Sequence, residues 1–261
     1  MEFGLEGKVA LIAGGSQGLG FATAYALTRE GADVSIFSRN QETLDNAAKM
    51  ISRNNRGKVH CIVANLRNPN ELEKVVEKTV EIFGGIDILI NNSGGPALGS
   101  FMKVTEQDWL DSLEIEVMGV IRLCRLVIPH MKKRGGGRII NITTVGVKKP
   151  QPGLVISDAT RHFINGLALN LAVELAPDNI LVNTVCPGPI MTNRLEEAIE
   201  TTSQHQGISL KDAEEHWLNL IPLHRFGDPK DMGDLITFLV SDRGSFITGD
   251  IIQVDGGKAV A

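Results

Sequence analysis

Residues Lys8–Leu27 read KVALIAGGSQGLGFATAYAL, and this stretch decides the fold. The run Val9-Ala10-Leu11-Ile12-Ala13 is apolar at every position, as a strand buried on both faces is. Gly14, Gly15, Ser16, Gln17, Gly18, Leu19 and Gly20 follow, and then a proline-free, alanine-rich helical pattern. The order is strand, glycine turn, helix N-terminus. That order suits a phosphate. Glycines let main chain approach closely, and the first helical N–H groups lack intrahelical partners and point at an anion. A purely structural strand-to-helix turn would use the same glycines. What favours a dinucleotide is the alternation of strand and helix that follows.

Apolar, β-rich runs recur at 8–13, 33–37, 58–63, 86–90, 138–142, 180–185 and 250–254. Helical patterns lie near 18–30, 41–54, 69–83, 105–133, 154–176 and 229–241. Continuous apolar strands alternating with helices predict a parallel sheet covered on both faces. Right-handed crossovers make it a doubly wound α/β sheet of the Rossmann type, about seven strands in one domain over 1–261. Ligands then bind beyond the carboxyl ends of the strands, at the point where the strand order reverses.

Bulk properties narrow the function. The chain has 261 residues, 43% of them hydrophobic, enough for a large core. Its net charge is −5 with no basic run, which disfavours nucleic acid as a partner. Cys61, Cys124 and Cys186 are scattered, giving neither a disulfide framework nor a metal cluster, so a reducing cytoplasm is expected. Met-Glu-Phe-Gly at the start shows no charged-then-apolar pattern, and no apolar run approaches the ~18 residues of a membrane span, so none is expected.

The residues after each strand are therefore the candidates. After the second come Ser38 and Arg39, with no carboxylate to hold a ribose 2′-hydroxyl. Arg39 can pair with a 2′-phosphate, which favours NADP over NAD; it can also be a solvated side chain at a helix entry. After the third, Asn65-Leu66 offers an amide to an adenine edge, or forms a turn before Pro69. After the fourth, Asn91-Asn92-Ser93-Gly94-Gly95-Pro96 marks a tight turn that can lie against a flat cofactor. After the fifth, Thr144 offers a hydroxyl, although threonine is also a good strand residue. After the sixth, Pro187, Gly188, Ile190 and Thr192 belong to a rigid corner that can wall one face of a nicotinamide. Residues 193–224 interrupt the alternation with two amphipathic segments, Arg194–Gln204 and Leu210–Leu220, around Gly207, expected to be a substrate lid or else a small surface subdomain.

Together these residues resemble the short-chain dehydrogenase/reductase family, nearly end to end. AGGSQGLG is similar to its TGxxxGxG loop, with Ala13 in place of Thr. Asn91-Asn92-Ser93-Gly94 is similar to its NNAG turn, and VNTVCPGPIMT to the segment after its sixth strand. Ile221-Pro222-Leu223, Arg225-Phe226-Gly227, Phe246-Ile247-Thr248-Gly249 and Val254-Asp255-Gly256-Gly257 are similar to its C-terminal signature. The resemblance implies a small-molecule carbonyl or alcohol substrate and a homo-oligomer, a tetramer or dimer.

The departures fall on the chemistry. The family uses Asn, Ser, Tyr and Lys, with the last two spaced Tyr-x-x-x-Lys. The resemblance sets the Ser at Thr144, the Tyr at Ser157, the Lys at Arg161 and the Asn at Glu116, so all four are substituted. The chain's one tyrosine is Tyr25, on the first helix. A serine hydroxyl is a far weaker acid than a phenol, and arginine cannot relay a proton as lysine can. Ser157 and Arg161 still share one helix face, and Glu116 is expected to pair with Arg161, which can stabilise an alkoxide or hold ribose hydroxyls. His162 points about 100° away and is read as a packing or surface residue. Two functions follow: an NADP-dependent oxidoreductase with a rebuilt proton path, or an NADP(H)-binding pseudoenzyme with a sensing or structural role.

Overall fold

The computed structural model describes residues 2–53 and 56–261. Seven strands form one parallel sheet: β1 (Val9–Ala13), β2 (Asp33–Ser38), β3 (Val59–Val63), β4 (Ile88–Asn91), β5 (Gly137–Ile142), β6 (Ile180–Pro187) and β7 (Ile251–Val254). Their spatial order is β3-β2-β1-β4-β5-β6-β7. β1 lies inside the sheet and registers Ile12 with Ile36 of β2 on one side and Ile90 of β4 on the other. The winding direction reverses between β1 and β4, and a crevice opens at their carboxyl ends.

Nine helices among the described residues connect and cover the sheet: α1 (Gly18–Arg29), α2 (Gln41–Ser52), α3 (Pro69–Phe83), α4 (Glu106–Ser112), α5 (Gly119–Lys133), α6 (Val155–Leu175), α7 (Asn193–Gln206), α8 (Leu210–Asn219) and α9 (Pro229–Val240). The two faces divide by the two-residue period of the strands. Ala10 and Ile12 face a core built with Leu27 of α1, Leu44 of α2 and Ile236 of α9. Leu11 and Ala13 face the other core, with Leu72 of α3, Val127 of α5 and Ile164 of α6. Local signals set the ends. Asn40 caps α2, Asn68 and Pro69 start α3, and Gly84 ends it in the left-handed region. Thr105 with Asp108, and Asp228 with Asp231, form capping boxes on α4 and α9.

Two expected helices differ from the structure. The pattern over 41–54 ends at Ser52 as a helix, and its last residue, 54, lies outside the described residues. The single helix over 105–133 is instead α4 and α5 joined by a π-helical segment, Leu113–Met118. The widened turn carries Glu116, which is buried and bonded to groups of α4 and α6. Those tertiary bonds hold a geometry that periodicity does not encode. The excursion at 193–224 forms α7 and α8, separated by Gly207 at φ +66°. It has its own apolar cluster of Leu195, Ile199 and Ala213, with Trp217 and Phe226 against it. Among the described residues no helix is long and apolar enough to cross a membrane, and no acidic, His or Cys cluster is arranged to hold a metal ion.

Candidate active site

The glycine loop is a cradle that larger residues would fill. A Cβ on Gly20 would stand 2.3 Å from the Gly14 carbonyl oxygen, and one on Gly15 would stand 2.7 Å from Ile36. Gly14 and Gly18 have φ of +61° and +56°, where glycine is favoured. Gln17 makes no side-chain cap on α1, and the first turn holds no acidic residue. Among the described residues, then, no side chain caps the free N–H groups at the positive end of the helix dipole. These features fit a pyrophosphate. Ser16 and Leu19 complete the loop, and the Asn92 side-chain amide donates to the carbonyls of Ala13 and Gly14, at 3.3 Å each. Thr192 packs its methyl against the Gly18 position at 3.7 Å and ties its hydroxyl to the Ile190 carbonyl.

The other expected cofactor residues line the same carboxyl edge. Ser38 and Arg39 follow β2, and Arg39 is exposed with no ion pair among the described residues. Asn65 turns its amide oxygen to the Arg67 N–H at 3.1 Å, and Leu66 packs under Gly119. Ser93 and Gly94 follow β4. Pro187 ends β6, and Gly188 lies so close to Asp255 that a Cβ would approach its Cα at 2.6 Å.

Behind this edge lies a buried ion pair. Arg161 Nη2 donates to Glu116 Oε1 at 2.9 Å, the pairing expected from the sequence. Glu116 is 1% exposed and Arg161 6%. The other Glu116 oxygen accepts from Thr160 Oγ1 at 2.6 Å and Ser112 Oγ at 3.1 Å. Arg161 also donates to the Ile142 carbonyl at 3.2 Å and to Ser93 Oγ at 3.0 Å. The guanidinium therefore joins α6 to the ends of β4 and β5 and is committed to protein groups. Among the described residues its Nε and Asn91 Oδ1 have no partner, and both residues border a cavity of about 10 Å³. That volume is the size of one water and admits no ligand. Ser112 and Thr160 escaped the sequence reading; only their i, i+4 and i−1 spacing to Glu116 and Arg161 hinted at them.

Thr144 stands just past β5, its Oγ1 accepting from the Gly146 N–H at 3.2 Å. Ser157, half-buried, stands in the first turn of α6. Beside it Asp158 is buried against Gly146, where a Cβ would meet Asp158 Oδ1 at 1.9 Å. Asp158 Oδ2 accepts from the Gln151 N–H at 3.1 Å, and burial pushes the carboxyl's pKa up against that bond. His162 is exposed, with Nδ1 at 2.8 Å from the Asp158 carbonyl, as its position around the helix implies.

A parallel α/β sheet with this strand order, glycine loop and strand-end constellation defines a nucleotide-binding protein of the dehydrogenase type. Comparison with known proteins sharpens that class. A family model described as enoyl-(acyl carrier protein) reductase matches residues 13–259. The 3-oxoacyl-[acyl-carrier-protein] reductase FabG of Thermotoga maritima is 36% identical, over 98% of this chain and 99% of its own length. Human dehydrogenase/reductase SDR family member 4 is 34% identical, over 97% and 88%. L-sorbose reductase from Gluconobacter frateurii, solved with NADPH and L-sorbose, superposes with a TM-score of 0.95 at 30% identity, covering all of both chains. The 3-ketoacyl-(acyl-carrier-protein) reductase of Brucella melitensis, solved with NADH, superposes at 0.86 with 29% identity, over 98% of this chain and all of its own. The chain belongs to the short-chain dehydrogenase/reductase family of oxidoreductases.

Proposed function

We propose that this protein is an NADP(H)-dependent oxidoreductase acting on a carbonyl/alcohol pair through a rebuilt site of Thr144, Ser157, Arg161 and Glu116. The observation that carries the reading is the uncapped N-terminus of α1 inside a glycine cradle that Cβ atoms would fill. Gly14, Ser16, Gln17, Gly18, Leu19 and Gly20 hold the pyrophosphate, Arg39 with Ser38 a 2′-phosphate, and Asn65 and Leu66 the adenine side. Asn92, Ser93, Gly94, Pro187, Gly188, Ile190 and Thr192 bracket the nicotinamide end. The nicotinamide, when bound, supplies or accepts the hydride.

Thr144 donates a hydrogen bond to the substrate oxygen. Ser157 sits where the family's tyrosine is expected and is too short to reach as far. The proton then passes from solvent along the Ser157 hydroxyl. Arg161 contributes positive charge from behind Ser93, fixed in place by Glu116. Residues 193–224 form a lid, with Arg194 Nη2 donating to the Pro96 carbonyl at 3.3 Å. We place the protein in the cytoplasm as a homo-oligomer, on its free thiols and the exposed apolar residues Phe163, Leu169 and Val173 along α6.

The commitment of Arg161 to protein partners favours a second reading, an NADP(H)-binding protein without turnover. One experiment separates them: dissociation constants for NADPH and NADH on wild type and Arg39→Ala, beside a turnover screen of ketones and alcohols. We expect NADPH to bind at least about tenfold more tightly than NADH, with Arg39→Ala erasing most of the difference. Equal affinities in the wild type would refute the NADP assignment. Tight NADPH binding without turnover on any substrate would favour the pseudoenzyme.

A further inference from the structure

Just beyond the carboxyl end of β7, on the same edge of the sheet as the strand-end loops, Lys258 is 5% exposed. Its Nζ donates to Gln151 Oε1 at 3.0 Å and stands 4.8 Å from the centroid of the Trp217 ring. Both partners are neutral. No carboxylate lies within ion-pair distance of this ammonium among the described residues. Asp255, whose charge acts on this ammonium, has both oxygens engaged, with the Gly257 N–H at 2.9 Å and the Ala259 N–H at 2.8 Å. Lys149 adds a second cation nearby, and burial with that repulsion pushes the Lys258 pKa down to about 8. A buried, unpaired cation is costly to keep, and a cluster of this kind points to a charge that arrives from outside.

The surroundings say which molecule brings it. Gln151 lies on the segment between Thr144 and Ser157, and its N–H holds Asp158, the neighbour of Ser157. Asp255 packs over Gly188, at the corner after β6. Trp217 belongs to α8 and fixes its indole N–H on Thr202 of α7 at 3.1 Å. The cluster therefore joins the tail, the loop after β5 and the two-helix excursion, at the β7 end of the sheet. Arg39 follows β2, toward the opposite edge, so a cofactor phosphate held there is a different anion. We propose that Lys258, with Gln151 and the Trp217 ring, binds a carboxylate on the substrate, so that the protein acts on oxo acids or the matching hydroxy acids. This rests on the reading of the chain as a carbonyl/alcohol oxidoreductase and adds to it the substrate class.

The test uses oxo acids with two, three or four methylenes between the ketone carbon and the carboxylate carbon, each beside its methyl ester, at pH 7. In the wild type, kcat/KM for at least one acid exceeds that for its ester roughly tenfold or more, the size of a hydrogen bond to a charged group. Lys258→Met brings the ratio to about one through KM, and Lys258→Arg keeps most of it. In parallel, Trp109→Phe leaves Trp217 as the one tryptophan, and its fluorescence reports binding of the acids without turnover. An acid no better than its ester at every length, or a preference that survives Lys258→Met, overturns the proposal. Fluorescence-detected acid binding that Lys258→Met abolishes, with no turnover anywhere, upholds the carboxylate site and defeats the oxidoreductase reading. Turnover without acid preference does the reverse, and neither turnover nor a Trp217 response defeats both.

Discussion

Arg161 and Lys258 are both buried cations, and they meet opposite conditions. Arg161 has Glu116, Ser93 and the Ile142 carbonyl around it. Removing one partner leaves an uncompensated buried charge, so Arg161→Met alone should destabilise by about 3–5 kcal/mol. The double variant Arg161→Met with Glu116→Leu should recover most of that loss in urea unfolding; additive losses would show that the pair is not coupled. Lys258 has no counter-charge within ion-pair distance among the described residues. Its pKa falls from 10.5 to about 8 on folding, so the unfolded chain holds the proton more tightly and binds more protons between those values. Stability therefore rises with pH through that window, and below it the charged lysine costs roughly 3 kcal/mol. Lys258→Met should unfold at higher urea than wild type at pH 7, with the advantage shrinking toward pH 10. Equal stability at both pH values would mean that the ammonium is solvated.

At the scale of elements, the glycine turn and α1 act as one unit. Gly20→Ala places a methyl against the Gly14 carbonyl, so the turn must open or α1 must shift. We expect dinucleotide binding weakened at least about tenfold, with loss of stability on the order of 1–3 kcal/mol from overpacking. Titration and thermal unfolding check this; unchanged affinity would show that the cradle is not where the phosphates sit. The excursion is a second unit. Its apolar cluster is small, and Arg194 stacks at about 3 Å on the position a Gly95 side chain would occupy. Arg194→Ala should speed amide exchange over 193–219 while β1 and β4 keep their protection. Uniform exchange with the core would argue against a separately mobile lid.

For the whole molecule, the sheet uses both faces for its own helices, and α6 still presents Phe163, Leu169 and Val173 to solvent, at 52%, 45% and 79% exposure. That stripe is expected to meet a second copy across a two-fold axis. Val173→Glu should shift sedimentation toward the monomer, and a wild-type monomer at micromolar concentration would refute the interface.

Seven strands and their order of appearance were legible in the sequence, because a parallel strand buried on both faces must be apolar along its length. The glycine cradle was legible for a similar reason: each glycine answers a local demand of turn or close approach. The Glu116–Arg161 pairing was also readable, since a buried guanidinium requires a carboxylate and the family resemblance put the two positions at one site. The sequence did not announce the π-helical segment at Leu113–Met118. Its residues suit an ordinary helix, and only the hydroxyls of Ser112 and Thr160, with Arg161 brought across from α6, hold Glu116 inward. Nor did it single out Lys258, which in the chain is one lysine after two glycines. Packing made it a cation with only neutral partners among the described residues, by folding the tail over Gly188 and setting Gln151 and Trp217 around it. Local periodicity and turn chemistry set the elements, and the burial of a charge depends on what distant segments bring to it.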